Sequence, residues 1–106
     1  MLTLLTFNSA NAEYLGNQIP SKIFGSSTIK FGINTPPNDV CSYFTRHFIF
    51  DATTDKGKNM LAILLAAKMG NRSINIWYSP STTPGKDHNS GCTLDTLATV
   101  HEIGIN

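Results

Sequence analysis

A single helical signature in a chain that otherwise reads as strands most restricts what these residues can fold into. Thr53 or Thr54 is placed to cap a helix, Asp55 sits in its first turn, and Gly57–Met69 carries Leu, Ala, Met and Lys. Lys68 falls in the last turn and Gly70-Asn71 supplies the stop. The spacing predicts a helix over about 55–69. Its middle, Met60-Leu-Ala-Ile-Leu-Leu-Ala-Ala67, is apolar on every side, whereas a helix on the outside of a small domain normally shows a polar face. Both faces are therefore expected to be covered, part of that cover coming from a second copy. Met60, Ile63, Leu64 and Ala67 are the expected oligomer contacts.

The remaining apolar pattern has period two. Ile29, Phe31 and Ile33 alternate with Lys30 and Gly32, as in a half-buried strand. Phe44–Phe50 alternates as well, and Ile74-Asn-Ile-Trp-Tyr78 is a short β-branched and aromatic run directly after the helix. A last strand is expected over about Leu97–Ile105. Ile19–Phe24 reads as a further strand that Pro20 confines to a sheet edge. Asn34–Asp39 and Ser79–Gly91 read as loops. The order, two or three strands, one helix, then two strands, gives an α+β, mainly β class. Two architectures satisfy it: a small OB-like barrel, or a curved antiparallel sheet of 5–6 strands with the one helix packed on it.

A chain of 106 residues fits one domain, expected over 13–106. Eight Lys and Arg are scattered and the net charge is +1, so there is no basic stripe for nucleic acid. The longest apolar run, Met60–Ala67, is far short of a membrane span. Only 14% of residues are charged, and Asn, Ser and Thr carry most of the polar surface. Such a surface suits an exported protein and a binding face that does not rely on ion pairs.

The first residues fit export too. Ala10-Asn11-Ala12 is a small-x-small triplet preceded by an apolar stretch, Leu2–Phe7, so residues 1–12 read as a signal-peptide remnant; the competing reading makes Leu2–Phe7 a first strand. Cys41 and Cys92 are the only cysteines, an even number that pairs as a disulfide in an oxidising compartment and stays as two thiols in the cytosol. Neither has a Cys or His at metal-ligand spacing. The expected location is secreted or periplasmic.

The run Ala66-Ala-Lys-Met-Gly-Asn-Arg-Ser-Ile-Asn-Ile-Trp-Tyr-Ser-Pro80 resembles the helix-to-strand passage of bacterial AB5-type toxin B subunits of the subtilase-cytotoxin and typhoid-toxin kind. That resemblance implies an OB-type barrel, a ring of subunits with helices lining its centre, and outer faces that bind glycans. The all-apolar helix departs from it, since pore-lining helices keep polar residues. A second likeness runs through Gly57, Lys58, Met60, Leu64, Leu65, Trp77, Tyr78, Gly91 and Cys92, which resemble small exported bacterial proteins that carry no functional assignment.

No sequence motif marks a catalytic centre: there is no nucleophile elbow, no His-Glu-x-x-His and no phosphate loop. A small hydrolase would be built on His101 in the last strand, with Glu102 or His47 as its partner and a nucleophile such as Ser42. Trp77 and Tyr78 are consecutive in a strand and must face opposite sides, one to the core and one outward. Tyr43 and Arg46, beside Cys41, flank a second surface, and His47 is expected to point to solvent. Tyr43, Arg46, His47, Trp77 and Tyr78 are thus the expected ligand contacts, with no cofactor and no metal. Three functions follow in order: a binding module for a carbohydrate or surface receptor, a protein-interaction or inhibitor-type accessory protein, and a small hydrolase.

Overall fold

The structure, a computed structural model, describes residues 13–82 and 86–106. The expected signal-peptide remnant and part of the Ser79–Gly91 loop lie outside these residues. Six strands and one helix follow in the order β1 (Glu13–Gln18), β2 (Pro20–Gly25), β3 (Thr28–Ile33), β4 (Phe48–Asp51), α1 (Asp55–Gly70), β5 (Ile74–Ser79) and β6 (Ala98–Ile105). They form one sheet ordered β1-β5-β6-β4-β3-β2. Among the described residues the sheet ends at β1 and β2, which do not pair, so it is open and the barrel alternative is set aside. β4 and β6 run parallel, while every other pair is antiparallel. The parallel pair arises because β6 inserts between β4 and β5, which the wholly antiparallel expectation did not include.

Thr54 caps α1, its hydroxyl accepting from Gly57 N–H at 2.9 Å, and Asn71 closes it in the left-handed region at φ 55°. One face of α1 lies on the sheet. Met60, Leu64 and Ala67, spaced by four and three residues, are buried there among Ile29, Phe31, Ile33, Ile74, Ile76, Val100 and Ile103. Burial of Met60 and Leu64 stabilises by about 1.5–3 kcal/mol each. These three residues are therefore core of their own chain and not contacts to a second copy; Ile63, half-buried, packs against the same core. The uncovered face carries Leu65 and Met69, the latter 86% exposed. At the centre of the core, Phe31 stacks on Phe48 at 5.3 Å between ring centroids, and Tyr78 meets Phe48 edge-on at 5.3 Å.

The other sheet face has its own small cluster. Ile49 alternates with Phe48 and Phe50 and so points away from α1, where it meets Cys41, Cys92, Leu94, Leu97 and Tyr43. Cys41 and Cys92 form a disulfide with Cα atoms 6.0 Å apart. It ties the connection between β3 and β4 to the long connection between β5 and β6, and Ser42 N–H donates to Lys86 O at 2.8 Å beside it. This stapled mound covers part of the face. Among the described residues, Tyr14 and Trp77 on one side of it and Phe24 and Phe44 on the other remain exposed.

Two aromatic surfaces on the open face

On one side of the mound, the β1–β5 register sets Tyr14 opposite Trp77. Their rings lie 4.7 Å apart, tilted by 50°, with Tyr14 52% and Trp77 43% exposed. Leu15 and Ile76, next in register, face the core, so the alternation of both strands directs this pair outward. Trp77 is also opposite Glu102 of β6. Between Trp77 and Tyr78 the register shifts, making His101 an extra residue in β6; the bulge leaves both His101 and Glu102 exposed. Ser79 Oγ and His101 Nε2 are 2.6 Å apart. Asn75, two residues before Trp77, accepts from Asn17 N–H at 3.1 Å and donates to Asn106 Oδ1 at 2.8 Å. Across from Asn75 stands Gly104, above which a Cβ would meet nothing within 4 Å. The result is a shallow surface with an aromatic floor, a carboxylate, a hydroxyl–imidazole pair and side-chain amides.

On the other side stands a chain of aromatic and cationic groups in contact. Tyr43 and Arg46 close a two-residue hairpin turn: Tyr43 N–H donates to Arg46 O at 2.9 Å and Arg46 N–H to Tyr43 O at 3.1 Å. Phe44 and Thr45 between them both have positive φ, 51° and 67°. Turns of this form favour Asn-Gly, because an L-residue in the left-handed region costs roughly 1–2 kcal/mol. The strain holds Phe44 out in solvent, 52% exposed, with its ring stacked on His88 at 4.0 Å. Arg46 lies over the Phe24 ring at 4.5 Å and the Tyr43 ring at 5.4 Å. Phe24 pairs with Lys30 across β2 and β3 on the same outer face. Sterically disfavoured backbone of this kind clusters at ligand clamps and switch regions.

The expected site residues separate accordingly. Tyr43 and Arg46 meet in one surface, and Trp77 belongs to the other. His47 and Tyr78 are corrections. His47 is 5% exposed; its Nδ1 accepts from Ile33 N–H at 3.0 Å, and burial pushes its pKa down to about 4. Far from reaching solvent, it extends the β3–β4 pairing into the loop. Tyr78, 3% exposed, donates to Asp39 Oδ1 at 2.9 Å; burial, together with that acceptor, pushes the phenol above its ordinary range. Tyr14, Phe24, His88 and Glu102 carry no sequence signal as contacts, and Phe44 shows only as part of the Tyr43–Arg46 stretch. Only the strand register could reveal them, since each meets its neighbour across strands or loops.

Both surfaces set exposed aromatic rings beside hydrogen-bonding side chains. The Ser79–His101 spacing matches that of a nucleophile and base, yet no carboxylate bonds to the imidazole and no enclosed pocket forms among the described residues. Comparison with protein-family models, with curated proteins and with solved structures gives no match.

Proposed function

We propose that this chain is a non-enzymatic binding module of an oxidising compartment, secreted or periplasmic, that recognises carbohydrate on the open face of its sheet. The observation that carries this reading is the exposed, tilted Tyr14–Trp77 pair beside Glu102, Ser79, His101 and Asn75. A sugar ring offers an apolar face of C–H groups, which stack on exposed aromatic rings, and a rim of hydroxyls that need both donors and acceptors. Carboxylate, amide, hydroxyl and imidazole groups at the border of two aromatic rings supply both. A nearly flat, open surface suits a ligand carried on a larger molecule better than a small substrate that must be enclosed. The disulfide supports the compartment, and no helix of the described residues is long and apolar enough to cross a membrane.

Self-association belongs to the same reading, as the resemblance to toxin B subunits also implies, with Leu65 and Met69 on the bare face of α1 as its contacts. The test of function is a glycan array with wild-type protein and Trp77→Ala, followed by tryptophan fluorescence titration of each hit. Binding of defined glycans that Trp77→Ala loses while keeping its fold supports the proposal. Hits that Trp77→Ala retains place carbohydrate recognition elsewhere, and an array without hits ends it. Light scattering over a dilution series tests the assembly; a monomer at all concentrations removes it.

A further inference from the structure

We infer that the Tyr43–Arg46 turn is a second binding site, one for a carboxylate carried on a small ring, with Arg46 as the anion contact and Phe44 as the stacking surface. The inference is independent of the Tyr14–Trp77 surface, which lies on the other side of the disulfide-stapled mound.

Arg46 is held as a recognition arginine would be. Its guanidinium lies over Phe24 at 4.5 Å and Tyr43 at 5.4 Å, and Nε donates to Tyr43 O at 3.2 Å. Among the described residues that is the only hydrogen bond its side chain makes, so the two terminal nitrogens keep their donors. A planar fork with its stem and Nε already fixed loses little freedom when it takes a carboxylate through two parallel N–H donors. Lys30, the cross-strand partner of Phe24, adds a cation on the same outer face, while the ammonium of Lys86, in the segment that carries His88, donates to Asn38 Oδ1 at 3.0 Å. The acidic group in this segment, Asp87, is turned to its own loop, accepting from Ser90 N–H at 3.1 Å and from Ser90 Oγ at 2.9 Å.

Phe44 gives the second half of the site. A side chain that served packing alone would not need a bulky residue at φ 51°, in solvent, at the tip of a turn. There its ring extends a contiguous series from Phe24 through Arg46 and Tyr43, which Phe44 meets edge-on, to His88, which stacks on Phe44. A carboxylate on Arg46 would bring the attached ring beside Phe44, where C–H groups pack on the aromatic face.

The experiment is an amide and side-chain NMR titration of the oxidised protein with sodium glucuronate, with glucose and sodium sulfate as matched controls at constant ionic strength. Saturable shifts at Arg46, Phe44 and His88 with glucuronate, absent with glucose, are expected. Arg46→Lys keeps the charge but not the fork and should weaken binding about tenfold. Phe44→Asn suits the left-handed backbone better than phenylalanine, so it should preserve the fold while weakening binding by a similar factor. No saturable shift at Arg46 with millimolar glucuronate overturns the inference. So do equal shifts with sulfate, which reduce the site to general anion attraction, and undiminished binding by Phe44→Asn. Shifts at Trp77 report on the other surface, so failure of either site leaves the other standing.

Discussion

Gly32 of β3 lies directly against the carbonyl of Thr45: a Cβ built on it would stand 2.1 Å from that oxygen and 2.7 Å from Ser21 Oγ. No side chain fits there. The strained Tyr43–Arg46 turn is thus seated on the one residue of β3 that lets backbone approach this closely. The position, turn and stacked arginine form one unit that begins with a missing methyl group.

Gly32→Ala should therefore destabilise the protein by about 1–3 kcal/mol, the cost of forcing backbone apart, although Gly→Ala at an unhindered site usually stabilises. The displacement should also separate Arg46 from Phe24. Urea denaturation gives the first quantity, and the ring-current shift of the Arg46 side chain gives the second. A neutral or stabilising substitution with an unchanged Arg46 signal would contradict the arrangement.

Gly57 presents the same conflict in the helix. A Cβ at Gly57 would come within 1.8 Å of Asp51 O, because the first turn of α1 packs on the end of β4. Helix propensity favours alanine over glycine by about 1 kcal/mol. The clash is with backbone and should win, so Gly57→Ala is expected to lower stability by at least about 2 kcal/mol. Thermal unfolding of Gly57→Ala beside Ala62→Gly, an exposed site on the same helix, separates propensity from packing.

His47 should contribute to the acid limb of the stability curve, beside Asp51 and Asp87, whose carboxyls hydrogen bonds hold below their ordinary range. Burial lowers its folded pKa to about 4, while the unfolded chain titrates near the ordinary histidine value of 6.5. Above about pH 6.5 the imidazole is neutral in both states and stability is indifferent to it. As pH falls from there to about 4 the unfolded state binds the proton first, so stability drops by roughly 3 kcal/mol in total. Protonation of Nδ1 also removes the acceptor of Ile33 N–H. Denaturation at a series of pH values should show this slope, and His47→Gln, which offers an amide oxygen instead, should flatten it. An acid limb as steep in His47→Gln as in wild type would assign it to other groups.

Much of the scaffold was legible because alternation and caps are local. β3 and β5 begin where their patterns begin, and Thr54, Lys68 and Asn71 bound α1 as their residue types require. Pro20 marked the edge strand β2. What escaped depends on contacts far apart in the chain. β1 is hidden because Gly16 and Asn17, the latter at φ 57°, interrupt its alternation at a register shift with β5. The expected strand from Phe44 to Phe50 is half wrong: Phe44 and Thr45 are left-handed, and the strand starts at Phe48. Phe44, Arg46 and Phe48 alternate in sequence without sharing a strand. The all-apolar run of α1 likewise concealed that Met60, Leu64 and Ala67 form an ordinary core stripe. Of the surface groups, Tyr43, Arg46 and Trp77 were visible as residues, and their partners became visible only through the sheet register.

The disulfide gives the last and broadest expectation. Cys41 and Cys92 are separated by 51 positions, so their bond removes roughly 4 kcal/mol of chain entropy from the unfolded state in the loop-closure model. Its effect should not spread evenly. The main core, built from α1 and the sheet, contains neither cysteine, whereas the smaller cluster consists of both with Leu97 and the half-buried Tyr43, Ile49 and Leu94. Cys41→Ala/Cys92→Ala should lower the unfolding free energy by about 2–4 kcal/mol while the β3–β4 and β5–β6 pairings persist. Hydrogen exchange should then accelerate at Ser42, Tyr43 and Arg46, whose amides bond within or across the stapled loops, well before it does at Phe31 or Ile76. If both regions lose protection together, the mound is part of the same cooperative unit as the core. If the loops alone loosen, the bond serves mainly to hold the aromatic turn in place on the open face of the sheet.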